Sequence, residues 1–535
     1  MIMSPILVMQ NLIKKFLSIR TFDQIHYWKV FFLCLILGMI AGCSTIPLHW
    51  GFVGFFFAGA SPLLIISDRP NFQKHPYLMM WGFSFGYYVV ALHWIVFALH
   101  VDWEAFYWVA PFAILGIPVI FSFYHVILTW IFGWAKSYGI SKVIRFALIW
   151  LLAEFLKNTL FTGFPWASVG YIWSTNPIIS QFAAVMGVPG LTFLTFLGVG
   201  AIYLKLMTPT PDYYRRRVIF GIIIFYLAVI IYGVTMLQSV EDVKGTGVWL
   251  RLVQPNISQS IKWNPRKAQD NIETLRTLSK GEKDVQAIIW PESAWPYPAS
   301  LGETNQIIES IVSDNTILIS GITRYGGNKK IWNSIGVYNN SGILMDVYDK
   351  SHLVPFGEYI PLRKVINQYA PFLNVRKLTH GMVDFSFGDD RNILHLPQLP
   401  PIKPLVCYEV IFSDEVAESS QGAQWLLNLT NDGWYLDSLG PYQHFEMSRM
   451  RAIENGMPIV RVANTGITGV IDAFGQVKGK INLMTQGSID VELPGALKSR
   501  TLYSEWVHTF LFYLCFIFLL GGFLERLKNF KKPLS

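Results

Sequence analysis

Seven long apolar runs crowd into residues 1–238 of this 535-residue chain, an eighth lies near its end, and the polar stretch 239–506 separates the seventh from the eighth. A bilayer-spanning helix needs about 20 mostly apolar residues. The runs fall near 28–44, 47–66, 77–98, 107–134, 143–160, 177–206, 218–238 and 507–525. Inside a bilayer every backbone N–H and C=O must be satisfied within the segment or a closed barrel, so runs of this length read as helices. Charge agrees: 15% of the residues are charged, against about 25% in ordinary soluble domains. The expected architecture is an eight-span α-helical membrane bundle plus one extramembrane domain. Residues 1–238 carry spans one to seven, 239–506 form the exported domain, and 507–535 carry span eight and a basic tail. The fifth run is the least regular, because Arg145, Glu154 and Lys157 lie in or near it. A carboxylate at such a depth marks either a functional group or an interfacial position.

Loop charges set the orientation. Lys14, Lys15 and Arg20 precede the first run, and Arg69 and Lys74 follow the second. Lys136, Lys142 and Arg145 lie between the fourth and fifth, Arg215, Arg216 and Arg217 between the sixth and seventh, and Arg526, Lys528, Lys531 and Lys532 after the eighth. The alternate loops lack this excess; 99–106 carries Asp102 and Glu104 instead. Basic loops stay in the cytoplasm. Both termini are therefore expected there, with the 239–506 domain on the opposite, periplasmic side of a bacterial inner membrane. The same placement explains the net charge of +8 without a nucleic-acid partner. Ala41-Gly42-Cys43 resembles a lipidation edge, but the preceding basic segment is long and seven further runs follow, so an uncleaved span is expected. An aromatic content of 15% fits interfacial belts and span packing.

The four cysteines are Cys34, Cys43, Cys407 and Cys515. Their spacing gives neither a disulfide framework nor a zinc site, and no metal or cofactor is expected. Cys407 alone lies in the polar region, as an inert buried thiol or a nucleophile. Three segments there share one pattern, an apolar strand-like run ending in a reactive residue beside turn chemistry. Val285–Ile289 leads through Trp290-Pro291 to Glu292, Leu344–Tyr348 leads to Lys350, and Ile402–Val406 leads to Cys407. Strand ends are where loops converge and functional groups collect. A thiol near its reference pKa of about 8.5 is mostly protonated at neutral pH. A carboxylate in reach takes its proton, and an ammonium steadies the thiolate and then the oxyanion formed on attack at a carbonyl. The product is a thioester, which a second nucleophile opens. Singly, each residue has a plainer role: a buried small hydrophobe, a helix N-terminal acid, a solvated lysine.

Trp-Pro-Glu-Ser at 290–293, Asp-Lys-Ser-His-Leu-Val-Pro-Phe-Gly-Glu-Tyr at 349–359 and Val-Cys-Tyr-Glu at 406–409 resemble the signatures of the nitrilase, or carbon-nitrogen hydrolase, superfamily. The resemblance covers about residues 247–484, continuing through Asn428–Trp434 and Arg461–Gly466. It implies an α-β-β-α sandwich with Glu292 as general base, Lys350 at the oxyanion and Cys407 as nucleophile. Insertion of such a domain before the last of eight spans is similar to the apolipoprotein N-acyltransferase branch. So are the segment Gln254–Trp263 and Gly163-Phe-Pro-Trp166 after the fifth run.

That resemblance implies a ping-pong transfer. Cys407 takes the sn-1 acyl chain of a phosphatidylethanolamine-like phospholipid, and the α-amine of a diacylglyceryl-cysteine at a lipoprotein N-terminus receives it. It also implies that Glu358 and Glu409 assist the trio, with structural ion pairing as the other reading. Trp263 would line the acyl entrance or pack in the core, and Asn333 would serve the site or a turn. Tyr408, following the nucleophile, is expected to shape the oxyanion region. The chain is expected to act as a monomer. His352, His444 and His508 do not fall in the order of a Cys-His protease. The alternative functions are a membrane-tethered amidase or nitrilase using water as second nucleophile, and a transporter or lipid-binding scaffold with a degenerate outer domain.

Overall fold

The computed structural model describes residues 26–506 apart from short segments at 46, 48–50, 208–212, 314, 328–329, 370–375, 380–382 and 390–391. The expected eighth span, the basic residues before the first, Cys515 and His508 lie outside the described residues. Four helical stretches are long and apolar enough to cross a membrane: Pro76–Val109, Phe112–Phe132, Ile179–Leu206 and Tyr213–Gln238. Tyr27–Cys43 and Gly51–Ile66 are apolar but shorter. The expected fifth run forms the helix Gly139–Thr159, which is not among the four because it carries the charges of Lys142, Arg145, Glu154 and Lys157. Four spans by length and composition are thus found among the described residues, and the count of eight is not reached.

Two of the charges in that helix have structural roles. Glu154 is buried and accepts from the Val169 N–H at 2.6 Å and the Thr192 hydroxyl at 2.9 Å. It ties the loop after its own helix to the Ala183–Met207 helix, as a buried carboxylate must be tied to be tolerated. Lys142, counted above as a loop charge, is buried and paired with Asp68.

The extramembrane region holds two sheets. The strands are β1 (Trp249–Gln254), β2 (Ala287–Ile289), β3 (Pro298–Ala299), β4 (Ile317–Tyr325), β5 (Ile331–Tyr338) and β6 (Leu344–Asp349), then β7 (Ile402–Val406), β8 (Trp425–Thr430), β9 (Ile459–Ala463), β10 (Thr468–Ile471), β11 (Val477–Ile481) and β12 (Gly487–Glu492). One sheet runs β12-β1-β2-β4-β5-β6 with β3 beside β4, and the other runs β11-β10-β9-β8-β7. Strands β7, β8 and β9 are parallel and buried on both faces, which is why they read as unbroken apolar runs. The inner faces pack on each other through Leu252, Ile289, Ile319 and Val337 from one sheet and Val406, Leu427, Leu429 and Val462 from the other.

A helix covers each outer face. Ala268–Ser279 lays Ile272 and Leu275 on the first sheet. Leu439–Asn455 covers the second, capped by the Ser438 hydroxyl at its start and ended by left-handed Gly456. Such caps satisfy backbone groups that the helix leaves open. The α-β-β-α order implied by the resemblance is the order found. The second outer layer is also the seam with the membrane bundle: Phe445, Met450, Ile411 and Phe412 share one apolar core with Trp94, Trp166, Val188 and Leu191.

Candidate active site

Glu292, Lys350 and Cys407 each sit just beyond the end of a strand, β2, β6 and β7 respectively. Glu292 and Lys350 are buried, and Cys407 is partly accessible. The chain turns at Cys407 with φ 49°, a left-handed conformation that is costly for a residue with a Cβ and that marks functional turns. The sulfur beyond that turn lies within electrostatic reach of the other two groups.

The three groups feel one another's charge. Burial pushes the Cys407 thiol up, the Glu292 carboxylate pushes it further, and Lys350 pulls against both. Burial likewise raises the Glu292 carboxyl, opposed first by Lys350. Burial works against the Lys350 ammonium, but Glu358, then Glu292 and Cys407, outweigh it and leave the amine firmly charged. These influences favour the neutral thiol at rest. A neighbouring carboxylate with raised basicity is suited to accept its proton as attack begins.

Asn333, on β5, clamps the carboxylates. Its Nδ2 donates to Glu292 Oε1 at 2.8 Å and to Glu358 Oε1 at 2.9 Å, and Lys350 Nζ lies 2.9 Å from Glu358 Oε2. Glu358 also accepts from the Val354 N–H at 2.8 Å. The second Glu292 oxygen, Oε2, is buried without a hydrogen-bond partner among the described residues; such an atom is suited to receive a proton. Glu409 holds the backbones together. Its Oε2 accepts from the Val406 N–H at 2.7 Å, and its Oε1 accepts from the Ser351 N–H at 2.8 Å, the His352 N–H at 3.1 Å and the Tyr348 hydroxyl at 3.0 Å. One carboxylate thereby ties the lysine strand end to the cysteine strand end, across the two sheets.

Tyr408 points the other way. Its hydroxyl donates to the Gly163 carbonyl of the membrane bundle at 3.0 Å, and its ring lies edge-on to Phe412. The Gly163–Trp166 loop is fastened by Lys157, which donates to the Phe164 and Trp166 carbonyls. Gln443 Oε1 accepts from both Trp166 Nε1 at 2.7 Å and Trp94 Nε1 at 2.9 Å. The turn at Cys407 is thus bolted to the bundle. Trp263 follows the short helix Gln259–Lys262 and is half-buried.

Several contacts lie beyond the reach of the sequence pattern. The β7–β8 register pairs Val406 with Leu429, so the next residues, Cys407 and Thr430, are neighbours, and Thr430 Oγ1 lies 3.3 Å from Cys407 Sγ. Asp432 is held by Arg461 at 2.7 Å and His444 at 2.8 Å. Burial would raise its carboxyl, but Arg461 and then His444 hold it down at about 2. β8 ends in a polar cluster after an apolar run, the same pattern as the other three strands, and that was the available signal. His352 stacks on Phe412 and faces Glu415.

Gly321 is a further case. A Cβ there would lie 2.3 Å from Ser293 N and 2.5 Å from Glu292 Cα. Only glycine lets the Glu292 segment lie this close to β4.

Comparison with known families gives two matches. The carbon-nitrogen hydrolase family matches residues 250–499, and the apolipoprotein N-acyltransferase N-terminal domain matches residues 37–201. The apolipoprotein N-acyltransferase of Rickettsia prowazekii is 32% identical over 488 residues, covering 90% of this chain and 95% of that protein. That of Bradyrhizobium diazoefficiens is 36% identical over 442 residues, covering 79% and 81%. Among solved structures, Saccharomyces cerevisiae Nit3, a member of the nitrilase superfamily, aligns with TM-score 0.36 and 17% identity over 49% of this chain and 94% of that one.

Proposed function

Because the chain belongs to the apolipoprotein N-acyltransferase family and so is an acyltransferase of lipoprotein maturation, we propose that the acyl group passes through a thioester on Cys407. The observation that carries this reading is a thiol in a left-handed turn, coupled electrically to a buried carboxylate and a buried ammonium. Cys407 Sγ attacks the sn-1 ester carbonyl of a phosphatidylethanolamine-like phospholipid, and its proton goes to Glu292. The carbonyl π electrons move to oxygen, where the Lys350 ammonium faces the charge. On collapse the C–O bond breaks, and the lysophospholipid oxygen leaves with the proton from Glu292.

The α-amine of the diacylglyceryl-cysteine then attacks the thioester and gives a proton to Glu292. The C–S bond breaks, the amide remains, and the thiolate recovers the proton. Glu358 and Asn333 keep the ammonium and the base in place, Glu409 keeps the strand ends in register, and Trp263 borders the acyl entrance. The division at 1–238, 239–506 and 507–535, the monomeric state, and an inner-membrane location with the domain in the periplasm and both termini in the cytoplasm belong to the same proposal. The alternation of basic loops supports that orientation.

The test is mass spectrometry of the full-length protein after incubation with phosphatidylethanolamine alone. A fatty-acyl mass on the Cys407 peptide, lost on dilute hydroxylamine and absent from C407A, is the expected result. Acyl transfer by C407A at the wild-type rate would refute the assignment. A periplasm-dependent reporter fused near residue 400 should be active, and activity of a cytoplasm-dependent one there would refute the orientation.

A further inference from the structure

The reaction centre contains a second buried lysine that the Glu-Lys-Cys trio does not use. Lys262 ends the short helix Gln259–Lys262, is 7% exposed, and donates from Nζ to the backbone carbonyl of Glu292 at 2.9 Å. Its helix is pinned to the loop after β8 by Asn431, which donates to Gln259 Oε1 at 2.8 Å. The neighbouring Ile257 N–H donates to Asn464 Oδ1 at 3.0 Å. A lysine on an exposed arm would be solvated; this one is turned inward and held.

We propose that Lys262 is a positioning residue of the transfer reaction, fixing the Glu292 backbone and supplying a second positive charge in the centre while the oxyanion exists. The inference rests on the Cys407 reading above. At rest the facing charges are Glu292 and Glu358, negative, and Lys350 and Lys262, positive. Glu409, also buried beside the trio, is held by neutral donors, the buried Lys377 faces Glu358, and Asp432 is paired with Arg461. In the tetrahedral intermediate the thiol proton is on Glu292, the S–C bond has formed, and the negative charge is on the substrate oxygen. The negative charge thus passes from Glu292 to the oxygen without changing the total, and a charged Lys262 opposes it in both states. Without it the centre holds one positive charge fewer against that buried negative charge, at rest and in the intermediate, which burial penalises.

A titration follows from this placement. The groups facing Lys262 are Glu292 from the end of β2 and Cys407 from the end of β7, with the Trp263 ring beside it on its own segment. Burial lowers its amine, opposed by Glu292 and then Cys407, to about 8. The charge is present below that value and is lost as pH rises through it. Lys350, held firmly charged, does not titrate in that range.

The experiment measures the rate of acyl-adduct formation on Cys407 in full-length protein with phosphatidylethanolamine in detergent micelles, from pH 6 to 10, for wild type, K262M and K262R. The expected wild-type rate falls along an alkaline limb near pH 8. K262M should slow the step about 10- to 100-fold at pH 7. K262R, whose guanidinium stays charged throughout, should retain the step within a few-fold and move the limb up by at least one pH unit. K262M within twofold of wild type would overturn the proposal, as would an unshifted limb in K262R. So would K262R falling as far as K262M while both melt like wild type, since that would leave only a packing role. If K262M fails to fold, the K262R profile decides. Absence of any adduct on wild-type Cys407 would instead overturn the thioester reading itself.

Discussion

Replacing Gly321 with alanine adds one carbon where the Glu292 segment crosses β4. The new Cβ would stand 2.3 Å from Ser293 N, 2.5 Å from Glu292 Cα and 2.6 Å from Pro291 O. All three are backbone atoms and cannot rotate aside. Ordinary contacts begin at 3.4 Å, so the Glu292 segment must retreat by about 1 Å, a misplacement large enough to cost about 100-fold in rate. The segment cannot retreat freely, because the Gly321 N–H donates to the Pro291 carbonyl at 3.1 Å and the Trp295 N–H donates to the Gly321 carbonyl at 3.2 Å. Overpacking of this kind also costs about 1–3 kcal/mol of stability.

G321A should therefore lower the rate of Cys407 acylation about 100-fold while depressing the melting temperature by only several degrees. Intact-mass time courses on purified protein measure the first quantity, and a thermal melt in the same detergent measures the second. G221A is the control, since nothing lies within 4 Å of a Cβ at Gly221; it should match wild type in both. Acylation by G321A within threefold of wild type would refute the argument that Glu292 is held in place by this backbone approach.

N333A removes the hydrogen bond that favours the charged form of Glu292. The acid limb of acylation, already above the ordinary glutamate value of about 4.3, should move higher, and the rate at pH 7 should fall about 10-fold or more; an unmoved limb in the pH profile counts against the clamp. D432N leaves the Arg461 guanidinium buried without its partner charge, a loss of about 3–5 kcal/mol that thermal melts should register as a large fall in Tm. In wild type the Asp432 carboxyl is depressed to about 2, so its stabilisation is present above about pH 4 and is lost as pH falls toward 2; melts across that window test the sign. Y408F leaves the Gly163 carbonyl unpaired and should cost about 1–3 kcal/mol, seen as a lower Tm with the Cys407 adduct still forming; no change in Tm would show that the bond does not help join domain to bundle.

The chain pattern by itself determined the division into apolar runs and a polar insert, because hydropathy over about 20 residues is a local property. It also determined which strand ends carry a carboxylate, an amine and a thiol, because an apolar run broken by a polar residue at a turn is visible without knowing the fold. Hydropathy did not determine the number of spans: the Gly139–Thr159 helix reads as a run but spends its polar groups on Ser67, Asp68, Val169 and Thr192. Tertiary structure alone decided that Lys262 turns inward, that Gly321 admits the Glu292 backbone, and that Gln443 joins Trp94 to Trp166 across 277 residues of sequence from the latter. These are contacts between segments with no common period or spacing. Burial of a given lysine or the closeness of two backbones is a property of the packed whole, so a sequence that shows the chemistry of the trio is silent about what holds and balances it.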